Sequence, residues 1–219
     1  FPLSVNYEER LYAGGLIKSS RFVKREGRPT DEAIIIRRLI DHAIRPLFPE
    51  DYKDEVQIVN TVLSLDKEAD PRFLGMIGTS ATLTASDIPW EGPMVSAVVG
   101  YINDQYILNP SKSELEKSRL NLVVSFVGQD LKYLAMEAEA DILPEEVVLG
   151  AVEFARNRVE PLLNFILEFS QEVNPQGKKY EYVSMALPQE LIDDVKSVIG
   201  EKVEELLYSG FKGKKEFSD

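Results

Sequence analysis

Apolar residues return along this chain with two different periods. Between residues 31 and 47 they recur every three or four positions. Ile36, Leu39, Ile40, Ala43 and Leu47 share one face of a 3.6-residue wheel, and Arg38, His42 and Arg45 share the other. That pattern predicts a helix with a buried stripe and a basic stripe. Thr30 stands ahead of it as an N-cap, Asp31 and Glu32 occupy the dipole-favoured first turn, and Pro46 stops it. Residues 5–12 are strand-like, Gly14-Gly15 interrupts the chain after them, and 18–29 read as an exposed loop. EVQIVNTVLSLD (55–66) reads as a strand buried on both sides, and the small residues of 73–87 predict a closely packed interior helix.

Further on, 94–102 and 105–109 flank Asn103-Asp104, a two-residue hairpin signal, and 120–128 and 131–141 predict a second hairpin about Gln129-Asp130. Helical pattern then runs from Pro144 to about Val173, with Pro161 as a kink or break. Residues 173–182 read as a linker. From Pro188 to Tyr208 the chain is amphipathic, with Leu191, Val195, Val198, Ile199, Val203 and Leu206 on one face. A boundary near residue 180 divides a core (1–180) from a second segment (181–219), whose polar end GFKGKKEFSD is expected to fray. Mixed helices and hairpins, with no internal repeat, predict an α+β fold.

Composition narrows the functions available. The chain has 219 residues, 44% hydrophobic and 28% charged, as an ordinary globular protein has. No apolar run approaches the ~20 residues of a membrane helix, and the opening FPLSVNYEER has no signal-peptide pattern. The start at Phe1 leads us to expect a fragment. Cysteine is absent, which excludes disulfides, thiolate zinc sites and cysteine nucleophiles and suits a reducing cytoplasm. No phosphate-binding G-x-x-x-x-G-K-[ST], no G-x-S-x-G and no H-E-x-x-H occurs. A net charge of −12 argues against diffuse nucleic-acid binding, so an anionic partner must meet a local patch.

One such patch exists. Residues 21–46 hold Arg21, Lys24, Arg25, Arg28, Arg37, Arg38 and Arg45 against only Glu26, Asp31, Glu32 and Asp41. Phe22 lies among the cations, a combination that suits single-stranded nucleic acid: cations meet phosphates and the ring stacks on a base. Arg28, Arg38 and Arg45 are further phosphate candidates, since a guanidinium fork matches two oxygens at once. The bland alternative is a solvated loop and a helix whose arginines pair with Asp31, Glu32 or Asp41. His42 reads as a surface or cap histidine. Glu137, Glu139 and Asp141 alternate along a strand, where they form either a divalent-cation site or a solvated face. Asp193-Asp194 and Glu204-Glu205 read as the wet side of the last helix.

Longer stretches carry a resemblance. FPLSVNYEERLYAGG, FVKREGRPTDE, RLIDHAIRPLFP, EVQIVNTVLSLD, GMIGTSATLTASDIPWEGP, GYINDQYILNP and LGAVEFA closely resemble bacterial polynucleotide phosphorylases. The match is to the family's first ribonuclease-PH-like core (a ribosomal protein S5 domain 2-like fold), followed by the start of its all-helical domain. The family's opening strands, its second core and its KH and S1 domains lie outside this sequence.

The resemblance implies phosphorolysis by the intact enzyme. RNA is shortened from its 3′ end with inorganic phosphate as co-substrate, and nucleoside diphosphates are released. The enzyme is a cytoplasmic homotrimeric ring that threads single-stranded RNA and can join an RNA-degradation complex. Mg2+ or Mn2+ assists at a site in the second core. There, two aspartates hold the metal; here Asn109 and Leu115 fall at those positions, and an amide and an aliphatic chain do not replace two carboxylates. The family's phosphate-gripping serine loop falls near Asp70-Pro71-Arg72-Phe73, where a carboxylate repels phosphate. This core is therefore expected to have no catalytic residue and no metal site of its own. The family's channel loop, Phe-Phe-Arg-Arg, reads here Phe22-Val23-Lys24-Arg25. Its Asp-Arg-Pro-Ile-Arg-Pro reads Asp41-His42-Ala43-Ile44-Arg45-Pro46. RNA contact is expected from Phe22, Val23, Lys24, Arg25 and Arg28, with Arg38 and Arg45 as further phosphate contacts. Two rival readings are an active single-core ribonuclease PH that trims tRNA and a structural ring subunit that touches no RNA.

Overall fold

The computed structural model describes residues 2–16 and 28–208, apart from the side chain of Leu206. Most of the loop predicted at 18–29, and the tail 209–219, fall outside the described residues. The chain divides into two compact units, Phe1–Tyr182 and Val183–Asp219.

The first unit opens with strand β1 (Leu3–Glu9), helix α1 (Asp31–Ile44) and strand β2 (Val56–Val62). The strands pair in parallel, Leu3 opposite Val56 through Glu9 opposite Val62. Helix α1 begins where Thr30 Oγ1 accepts the Ala33 N–H at 3.0 Å, and a 3-10 turn at Arg45–Leu47 takes over before Pro46 can disrupt it. Its predicted stripe is its buried face: Ile36, Leu39, Ile40 and Ala43 are all buried. Strand β2 is not buried on both sides. Gln57, Val59 and Thr61 are exposed, because β2 is the edge of a two-stranded pair and only one of its faces meets the core.

Helix α2 (Pro71–Ala85) comes next, then the antiparallel sheet of β3 (Met94–Ile102), β4 (Gln105–Leu108), β5 (Leu120–Val127) and β6 (Lys132–Ala140), in the order β4-β3-β5-β6. Asn103 and Asp104 both take positive φ, 48° and 60°, as a tight hairpin between right-twisted strands requires. The four-residue helix α3 (Lys112–Leu115), closed by a Ser111/Glu114 capping box, joins β4 to β5. Alternation along β3 feeds two cores. Met94 and Val98 join α1, β1, β2 and α2. Val95, Ala97 and Val99 join Leu122, Val124 and Phe126 under α4 (Glu145–Arg156) and α5 (Glu160–Val173). Helix α2 serves both cores, through Met76 and Leu83 in the first and Ile77 and Ala81 against the second.

The helical run breaks at residues 157–159, just ahead of Pro161. Pro161 lies in the first turn of α5, where its missing N–H is harmless, while its ring would clash with the carbonyl of Asn157 if α4 continued through it. The predicted linker is a strap on the core. Lys179 Nζ donates to the carbonyls of Leu83, Thr84 and Ser86 at 3.2, 3.1 and 2.7 Å, capping the C-terminal end of α2. Tyr182 donates to Asp51 at 2.7 Å and sets its ring edge-on to Tyr52.

The second unit contains helix α6 (Gln189–Tyr208), on which Leu191, Val195, Val198, Ile199 and Val203 are exposed. Among the described residues no helix is long and apolar enough to cross a membrane.

Candidate nucleic-acid interface

Parallel strands deliver their carboxyl ends to the same side, and the helices after them start there. β1 and β2 therefore bring Glu9, Val62 and the N-terminal ends of α1 and α2 around one cleft of about 570 Å³. Arg10, Arg28 and Lys112 line it, as do Glu8, Glu9 and Glu32. Arg10 pairs with Glu8. The Thr30 hydroxyl donates to Glu9 at 2.8 Å, fixing that carboxylate against the cap of α1. At the inner end Tyr7 is 4% exposed and its hydroxyl finds no hydrogen-bond partner among the described residues. Burial first, then the carboxylates of Glu9, Glu32 and Asp70, push its pKa up, so the phenol keeps its proton.

Phe22, Val23, Lys24 and Arg25 lie outside the described residues. Arg28, the first described residue after them, is exposed and lines the cleft. The other two predicted arginines part company. Arg45 is engaged by Asp41 at 2.6 Å and reaches the Leu3 carbonyl at 3.3 Å, so its fork fastens α1 to β1. Arg38 is exposed on the outer face of α1. His42 faces a carboxylate from another element: Glu137 Oε1 lies 3.5 Å from its Nδ1. Glu137 and Glu139 share a side of β6, opposite Val123 and Asn121, while Asp141 lies past the strand's end and 3.9 Å from Arg119. Among the described residues no three His, Asp or Glu side chains converge as a metal site requires.

Asn109 and Leu115, the positions at which the resemblance led us to expect no metal-holding acids, have structural roles. Asn109, at φ 48°, brackets one residue of β3: its N–H donates to the Val98 carbonyl at 2.7 Å, and its Oδ1 accepts the Val98 N–H at 3.0 Å. Leu115 packs against the first core. An oxygen already engaged by an amide and a hydrocarbon side chain do not fit a hard divalent cation. At the start of α2, Asp70 accepts the Arg72 N–H at 3.0 Å and grips the Arg72 guanidinium at 2.8 and 2.5 Å. Arg72 also donates to Asn121 Oδ1 at 3.1 Å. The side chains are 9% and 16% exposed, so the helix end carries its own anion and the arginine its own partner.

Sequence reading missed Tyr7, Arg10 and Lys112 as cleft residues, because two segments about a hundred residues apart bring them together. Asp70-Pro71 was a readable signal, an N-cap followed by proline at the first helical position.

Residues 1–89 match the family model described as 3′ exoribonuclease family, domain 1, and residues 92–158 match domain 2 of the same family. Together the two matches cover well over half of the chain and lie within its first unit. The crystal structure of Rrp46 from rice (Oryza sativa) superposes with a TM-score of 0.55 at 12% identity, over 78% of this chain and 71% of that one. At that identity the likeness shows the fold, a ribonuclease-PH-like α+β core. The two family domains succeed one another through the parallel pair and the antiparallel sheet, and the chain belongs to the 3′ exoribonuclease family.

Proposed function

We propose that this chain is the RNA-channel-forming, non-catalytic first core of a polynucleotide phosphorylase, joined through the strap to the start of its helical domain. In this reading residues 1–180 form the core and 181–219 the helical start. The full protein is a cytoplasmic homotrimer that degrades single-stranded RNA from the 3′ end with inorganic phosphate. Its Mg2+ or Mn2+ is held by the second core, and it can join an RNA-degradation complex. Phe22, Val23, Lys24 and Arg25 line the channel, Arg28 extends the cationic path to the cleft, and Arg38 adds an outer phosphate contact.

The observation that carries this reading is the pairing of Asn109 with Val98, together with Leu115 packed against the first core. A single-core ribonuclease PH needs acids at those two positions, which disfavours the active rival. The Asp70–Arg72 pair supports the same conclusion, since it fills the helix end where a phosphate would bind.

RNA binding across a salt series tests the interface. Lys24→Ala/Arg25→Ala is expected to weaken binding of a single-stranded oligonucleotide and to flatten the log–log salt slope by about 1.4, two phosphate contacts at about 0.7 each. An unchanged slope removes the loop from the interface and favours the structural-subunit rival. Purified chain given RNA, phosphate and Mg2+ is expected to release no nucleoside diphosphate, and sustained release would refute the silent core.

A further inference from the structure

The antiparallel sheet ends in a surface that RNA handling leaves unused. Among the described residues β6 has a neighbour on one side only, and it is a long edge, nine residues against the four of β4. Met136, Glu137, Ala138, Glu139 and Ala140 are all exposed. Long edges of this kind are normally blunted by proline, bulges or a covering element, because their unpaired backbone groups accept another strand. Here the bulge lies at Ser125/Phe126, at the other end of the β5–β6 pairing from Ala138–Ala140. Beside the edge, β6 and α4 enclose a hollow of about 530 Å³ with Val124, Met136, Leu149 and Val152 in its lining. Met136 and Leu149 are 53% and 64% exposed. Just past the strand, Ile142 is 94% exposed and sits at φ 43°. A β-branched residue in the left-handed region is strained.

Charge selects the occupant. Glu137, Glu139 and Asp141 run along the edge, and Glu145 and Glu146 come after Ile142 at the start of α4. A second copy of this chain would set those carboxylates against one another, in a molecule already at −12, and RNA would be repelled outright. We propose that the β6 edge docks an extended protein segment of alternating basic and apolar residues. The segment adds to the sheet as a fifth strand, with its cations toward Glu137 and Glu139 and its apolar side chains in the hollow and against Ile142. This site is independent of the RNA-channel reading.

The full chain, titrated with a labelled synthetic peptide of alternating Arg and Val, tests the proposal by fluorescence anisotropy and amide hydrogen exchange. The controls are a peptide of alternating Glu and Val and one of the same composition with its arginines in one block. The alternating basic peptide is expected to bind at least tenfold more tightly than either control and to slow exchange within residues 132–140. Ile142→Asp and Leu149→Asp, both at exposed positions that the fold does not need, should each weaken it tenfold or more. Glu137→Lys/Glu139→Lys should shift preference to the acidic peptide. Equal binding of the block and alternating peptides, protection elsewhere, no effect of Ile142→Asp, or protection of β6 that rises with protein concentration alone would each overturn the proposal.

Discussion

The parallel pair β1–β2 and the four-stranded antiparallel sheet share one chain and one set of apolar residue types, yet they are closed to different degrees. β3 and β5 are buried on both faces and supply two cores. The parallel pair meets one core only, and Val59 on its outer face is 49% exposed. Two strands alone are marginal, so this pair depends on α1 and α2 for its order. The two regions divide the labour. Stability resides where both faces are covered, and charged groups gather where the strands run out, at the cleft of Arg10, Arg28 and Lys112.

The largest expected effect tests the closed side. Phe126 is fully buried beneath α4, and Phe126→Ala should cost about 3–5 kcal/mol in urea unfolding. Val59→Ala on the open side should stay within about 0.5 kcal/mol. Similar losses at the two sites would abolish the distinction.

Next is the charge at the cleft's edge. Asp70→Ala removes the cap of α2 and strands Arg72, and should cost on the order of 2–3 kcal/mol, between a lost cap and a broken buried pair. Asp70→Ser keeps the cap, so it should recover about 1 kcal/mol of that loss. By releasing the Arg72 fork it should also raise the protein's affinity for phosphate above that of wild type, as calorimetry would show. Equal stability of the two variants would show that the cap contributes nothing.

The smallest effect concerns Tyr7. Its folded-state pKa is raised, by burial first and then by Glu9, Glu32 and Asp70. The folded state therefore holds a proton that the unfolded chain gives up near pH 10. The associated stability is complete below about pH 10 and is lost as pH rises beyond it. Tyr7→Phe removes a buried hydroxyl with no hydrogen-bond partner among the described residues and should stabilise by up to about 1 kcal/mol at neutral pH. It should also flatten the alkaline limb of the stability profile, and an unchanged limb would locate the titrating group elsewhere.

The elements legible in the sequence were those whose signals are local. Thr30, the spacing of Ile36, Leu39, Ile40 and Ala43, and Asn103-Asp104 are each read within a short span of chain, and each took its expected form. β2 misled because β-branched composition does not reveal whether a second layer will cover the strand. Pro161 announced the break in the helical run but not its place, because proline sits in the first turn of the helix that follows. The candidate site was legible in part. The absence of acids at Asn109 and Leu115 was plain, but what those residues do instead was not. The Arg72–Asn121 contact spans 49 residues and Tyr182–Asp51 spans 131, distances that only the folded chain closes. Glu137 beside His42 belongs to the same class.

The strap has a mechanical consequence. Lys179 holds three carbonyls at the end of α2, and Tyr182 holds Asp51. Tension arriving from beyond residue 182 is thus delivered to the end of one helix and one turn, and the three carbonyl contacts must part before the load reaches α5 and the antiparallel sheet beneath it. The core is moored at its exit, and its strands are spared any tugging from downstream.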